Sequence, residues 1–173
     1  MRMLFWSFLA ISTLCLFACT PSNQESKADS VTPSTEAINS EDQAQSINPT
    51  YLQGYFVKND VMLQDSVEFR TFASQEALET VFGIAKTMDN EITQIDFTQN
   101  AVAAIITMAS HSAHRIEITD VEAQGSKWVI HYEFHIAPEQ SFNTQAAVAL
   151  EIPSDIKIVA FSTAGKTTEV TMP

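Results

Sequence analysis

The chain has 173 residues, with 21 acidic against 9 basic side chains and a formal charge of -12. That sign excludes a nucleic-acid binder, whose affinity rests on neutralising phosphates. The four glycines, Gly54, Gly83, Gly125 and Gly165, stand far apart, so no phosphate-cradling loop is present and a nucleotide enzyme is not indicated.

The first element in chain order is a leader. Arg2 is followed by an apolar run from Met3 to Phe17, relieved only by Ser7, Ser12 and Thr13, and then by Ala18 and Cys19. A basic start, an apolar core of about 7 to 15 residues and a small residue at the cut define an export signal, and the run falls short of the roughly 20 residues of a spanning helix. Leu16, Phe17, Ala18 and Cys19 resemble the lipobox of bacterial lipoproteins, with Phe17 off the usual preference. The resemblance implies cleavage before Cys19, a diacylglyceryl group on its thiol and a further acyl chain on the new amino terminus. Cys15 leaves with the leader and Cys19 is consumed by lipid, so the mature chain keeps no thiol for a disulfide, a nucleophile or a metal site. Thr20, where a retention signal would place Asp, favours the outer membrane in a Gram-negative cell, facing the periplasm or the surface. The acidic chain repels anionic head groups, so attachment depends on the acyl chains.

Residues 19–50 then read as the lipidated cysteine and a disordered tether. From Thr20 to Pro49 the segment carries Pro21, Pro33 and Pro49 among many polar residues and no aromatic, too little apolar area to offset its chain entropy. Its root-mean-square reach is about 30 Å, and its limit roughly 100 Å. Residues 51–173 are a normal size for one β-rich globular domain with a single core.

Within that domain Ser66 to Phe72 alternates as a strand. Ser74 is a helix N-cap, and Leu78, Val81, Phe82 and Ala85 follow at helical spacing on one face, which predicts the main helix. Met88 to Gln94 is a loop. Asp96 caps a turn between Ile95 and Asn100, and Ala101 to Met108 is apolar on both faces, the pattern of a central buried strand. Arg115 to Val121 and Lys127 to Ile136 form a hairpin turning at Glu122 to Ser126, with Ile130, Tyr132, Phe134 and Ile136 toward the core and His131, Glu133 and His135 outward. Ala146 to Ile152, Ile156 to Phe161 and Thr167 to Thr171 are further strands, divided by Pro153-Ser-Asp155 and Ala164-Gly-Lys166. The fold class is α+β: a mostly antiparallel sheet or sandwich with one main helix.

Two clusters carry potential chemistry. His131, Glu133 and His135 share a strand face, and one of these histidines with Glu133, plus His111 or His114, would offer zinc acceptable ligands. The outer histidines are roughly 13 Å apart along the strand, too far for one ion without bending, and pairing of Glu133 and a histidine with Arg115 and Glu117 across the hairpin explains the same residues. Ser110, His111, Ser112 and His114 lie close in sequence, but no nucleophile elbow frames a serine, and no catalytic residue is assigned. Tyr51, Tyr55 and Phe56 are read as core filling before partner contacts.

The order of elements carries a second resemblance. A helix with Phe82, Asp96-Phe97 entering an apolar strand, the Ile116 to Phe134 hairpin, Thr144-Gln145, and Ala147 to Ile152 with Pro153 and Ile158 to Phe161 resemble the carboxy-terminal domain of PrcB-type lipoproteins. Where that family carries a Thr-Gly-Gly turn after the apolar strand, this chain has Ser110-His-Ser-Ala-His114. The resemblance implies an accessory subunit that binds and stabilises an envelope protease. The expectation is a non-enzymatic, lipid-anchored binding module that meets a protein through a strand edge or through loops at Ser110 to His114 and Pro138 to Gln145. A zinc-binding envelope protein and a structural envelope lipoprotein without a ligand are the alternatives.

Overall fold

The computed structural model describes residues 44–85 and 91–173. The leader, with Leu16, Phe17, Ala18 and Cys19, lies outside the described residues, as do most of the expected tether and the start of the Met88 to Gln94 loop. Paired backbone begins at Gln45, before the expected boundary at Tyr51. β1 (Gln45–Ser46) joins one sheet and β2 (Thr50–Tyr51) joins another, while Ile47 between them packs on the core.

The remaining elements are β3 (Tyr55–Val57), β4 (Val67–Phe72), α1 (Gln75–Glu79), β5 (Phe82–Ile84), β6 (Asn100–Thr107), β7 (Ser110–Gln124), β8 (Lys127–Thr144), β9 (Ala147–Pro153), β10 (Ile158–Thr163) and β11 (Lys166–Thr171). A five-stranded sheet runs β1-β7-β8-β10-β11, a four-stranded sheet runs β2-β9-β6-β4, and β3 pairs with β5. Every pairing among the described residues is antiparallel except β8 with β10. The described residues therefore form the mostly β, mainly antiparallel architecture, with one short helix among them, that the alternating patterns predict.

β6 explains the layering. Ala101, Ala103 and Ile105 point into a core shared with the five-stranded sheet, where they meet Trp128, Ile130 and Phe161. Val102, Ala104 and Ile106 point the other way, into a second core with Phe72, Leu78 and Phe82. Cover on both faces favours an apolar side chain at every position, which is why Ala101 to Ile106 is apolar without alternation.

The helix is the main departure from the sequence reading. Ser74 does cap it, its Oγ accepting from the Ala77 N–H at 3.2 Å, but the helix stops at Glu79. Thr80 donates its hydroxyl to the Ala77 carbonyl at 2.7 Å, and Phe82–Ile84 becomes β5. Gly83 is worth about 1 kcal/mol less than alanine in a helix, while Val81, Phe82 and Ile84 favour extended backbone. Phe56 sits opposite Gly83 in the β3–β5 ladder, and a Cβ on Gly83 would come 2.6 Å from its ring. Leu78, Val81 and Phe82 are buried as the spacing suggested, although only part of the set is helical.

Of the segments Ser110 to His114 and Pro138 to Gln145, expected as loops, all but Gln145 is strand. β6 passes into β7 through Met108-Ala109, and β8 passes into β9 through Gln145-Ala146, so one two-stranded ribbon bends from sheet to sheet. At the bend the buried Thr107 is satisfied twice by Ala146: its Oγ1 accepts from the Ala146 N–H at 3.0 Å and donates to the carbonyl at 3.2 Å. Irregular register between Ser110, Ser112 and His114 supplies the curvature, as bulges do at sandwich corners. Ile136, expected in the core, lies past the point where the sheets face each other and is 73% exposed.

Candidate functional site: an open strand edge and its groove

A half-open groove of about 830 Å³ lies where β4, the outer strand of one sheet, comes near β11, the outer strand of the other. Its apolar lining comes from Val67, Phe69, Tyr132, Phe134 and Val170. These positions follow from strand period: Val67 and Phe69 point from β4 toward the other sheet, and Tyr132 and Phe134 continue the inner face of β8. Phe69 stacks on Phe161 at 4.7 Å between centroids, Tyr132 lies 5.8 Å from Phe69, and Phe134 meets Tyr132 edge-on at 5.2 Å. The aromatic floor is thus fixed by its own packing. Burial pushes the Tyr132 phenol above its ordinary pKa.

β8 is paired with β10 only as far as His131 opposite Ser162, so β8 continues past the end of its neighbour and the groove opens there. The charges around it are Asp65, Glu68, Arg70 and Lys166. Arg70 donates from Nε and Nη2 to one Glu68 oxygen, at 2.9 and 2.6 Å. Burial raises the Glu68 carboxyl, but the Gln64 N–H and the Arg70 guanidinium outweigh it and hold it below the usual carboxylate range. Among the described residues Asp65 and Lys166 have no ion-pair partner.

The outer edge of β4 has a defined hydrogen-bonding pattern. The Met108 N–H donates to the Ser66 carbonyl at 2.9 Å, so Ser66 turns its backbone groups toward β6. Alternation along the strand then turns the N–H and C=O of Val67, Phe69 and Thr71 away from β6. No strand among the described residues pairs with that side. All three residues are nevertheless half-buried.

The histidines are spread along the β7–β8 ribbon. His135 Nε2 lies 3.2 Å from Glu117 Oε2, and the Arg115 guanidinium donates to the same carboxylate. His131 Nε2 lies 3.5 Å from Glu122 Oε1, has no hydrogen-bond partner and is buried at that atom. Glu133 is directly opposite Glu117, so the expected cross-hairpin pair of Glu133 with a cation is replaced by facing carboxylates. His114 is opposite Ile136, and His111 is exposed. Among the described residues no three His, Cys, Asp or Glu side chains converge on one point. Asp96 accepts from the Thr98 hydroxyl at 2.6 Å and the Thr98 N–H at 3.0 Å, and these two bonds hold its carboxyl below its ordinary pKa. This is the turn cap expected of it.

The groove residues were not singled out by sequence. Val67 and Phe69 have the alternation of any half-buried strand, and only the pairing of sheets reveals that β4 ends one of them. Tyr51 and Phe56, expected as core filling, are 44% and 46% exposed, and Phe56 covers Gly83. The chain matches no family model, and no curated protein or solved structure matches it significantly.

Proposed function

We propose that this chain is a lipid-anchored cell-envelope binding module that holds a protein partner at an open strand edge, as an accessory or stabilising subunit of an envelope protease. The observation that carries the reading is the β4 edge, where the half-buried Val67, Phe69 and Thr71 turn unpaired backbone groups outward and Val67 and Phe69 line an aromatic groove. Edge addition gives affinity from main-chain hydrogen bonds and specificity from the pockets beneath. Leu16 to Cys19 supports the lipid anchor, and the resemblance of the Phe82 to Phe161 region to PrcB-type domains supports a protease as the partner. A tether of about 25 residues ahead of Gln45 would let the domain meet that partner some tens of ångströms from the bilayer.

Crosslinking in intact cells followed by purification of the full lipidated chain tests this. One envelope protease should be recovered in near-stoichiometric amount, and its steady-state level should fall when the chain is deleted. Reproducible absence of a partner would leave a structural envelope lipoprotein. Stoichiometric zinc in the purified chain, lost in both His131→Ala and His114→Ala, would replace the proposal with the metal-binding alternative.

A further inference from the structure

We infer that the β4 groove takes an extended peptide segment that adds antiparallel to β4, with apolar side chains at every second position and basic residues at its flanks. This rests on the binding-module reading and specifies the ligand of that site. The backbone sets the conformation: Val67, Phe69 and Thr71 offer N–H and C=O groups at alternate residues, and only an extended chain matches that spacing. The direction follows the sheet, in which β2, β9, β6 and β4 are all antiparallel neighbours. A strand laid along β4 directs every second side chain toward Phe69, Tyr132 and Phe134, so those positions must be apolar.

Charge selects the flanks. Glu68 and Arg70 satisfy each other, and Asp65 and Lys166 offset each other at the mouth. The sign of the ligand is then set by the field of a chain at -12, which attracts a basic segment and repels an acidic one. The same field disfavours a second copy of this chain as the occupant. The β7 edge is a poorer acceptor: its register is irregular at Ser110, Ser112 and His114 and again between Ile118 and Asp120, and such bulges blunt an edge. The β4 ladder is regular from Val67 to Phe72.

The test uses the full chain and a labelled synthetic peptide, Lys-Lys-Val-Thr-Val-Thr-Val-Lys. Binding is followed by fluorescence anisotropy, and amide exchange is followed by NMR. At saturation the amides of Val67, Phe69 and Thr71 should exchange at least tenfold more slowly, with no such change on β7. Thr71→Pro removes one outward N–H and no β4–β6 bond, and should weaken binding at least tenfold. N-methylation of alternate peptide amides tests the same bonds on an unaltered protein: one register should abolish binding and the other should retain it. Replacing the peptide lysines by glutamates should weaken binding at least tenfold at low salt. Equal binding by both N-methylated registers, protection on β7 instead of β4, tighter binding of the glutamate peptide, or no binding at millimolar peptide would each overturn the inference. If a protease is still recovered from cells, the binding-module reading survives that failure and the contact lies elsewhere.

Discussion

Truncating β6 on each of its faces separately measures whether both cores are as closed as their burial implies. Ile105 and Ile106 are neighbours, 1% and 0% exposed, yet they belong to different cores: the first lies between the two large sheets, and the second lies under α1 and β5. Replacing a fully buried isoleucine by alanine costs about 2 to 5 kcal/mol, the lost transfer energy plus the cavity left behind. Ile105→Ala and Ile106→Ala should therefore each lower the unfolding free energy by about 3 kcal/mol. Ile136→Ala, at a site 73% exposed, should stay within about 0.5 kcal/mol of wild type. Urea denaturation of the full chain, followed by tryptophan fluorescence, gives the three differences from midpoints at constant slope. A cost below about 1 kcal/mol for Ile106→Ala, with Ile105→Ala near 3, would refute the second core. It would mean that α1 and the β3–β5 pair do not press on β6.

Three further outcomes follow from local geometry and from the leader. Ala164 and Gly165 both have positive φ, 42° and 81°, the pattern of a tight turn between β10 and β11 that disfavours a Cβ; Ala164→Gly should raise stability by about 1 kcal/mol, read as a higher Tm. Glu68 is held below its ordinary pKa, so its contribution is present above the unfolded carboxylate pKa near 4.3 and fades as pH falls through the lower folded value. Glu68→Gln should accordingly destabilise at pH 7, and its difference from wild type should shrink below about pH 4 in pH-dependent urea titrations. Cys19→Ser should leave unprocessed precursor and abolish lipid labelling in cells, and maturation at the normal size would refute the lipobox.

The strands that sequence located well are those whose pattern is imposed by one dominant environment. Ala101 to Met108 is legible because burial on both faces removes polar residues, and Ile130 to Phe134 because one face is core and the other is water. The Leu78 to Ala85 periodicity misled because residues at helical spacing are also buried here by one helical turn followed by a short strand. What decides between them is Gly83 under Phe56, a contact made by a residue 27 positions earlier. The corner was misread for a related reason: Pro138 and the serines of Ser110 to His114 read as loop, whereas a bulged two-stranded ribbon tolerates them. Glu133 facing Glu117 depends on register, which a single slip changes. The groove is the least legible feature of all. Its walls are ordinary strands, and the open edge of β4 exists only because of the order in which the strands pair.

Site-specific photo-crosslinking in intact cells bears most directly on the role of that edge. A photoreactive amino acid placed at Thr71, on the outward row of β4, should capture one envelope protease, and the same probe at Phe142, on the exposed corner ribbon, should not. Capture at Phe142 with none at Thr71 would contradict the assignment of the β4 edge as the binding surface. Absence of a crosslinked protein at both positions would contradict the binding-module reading itself.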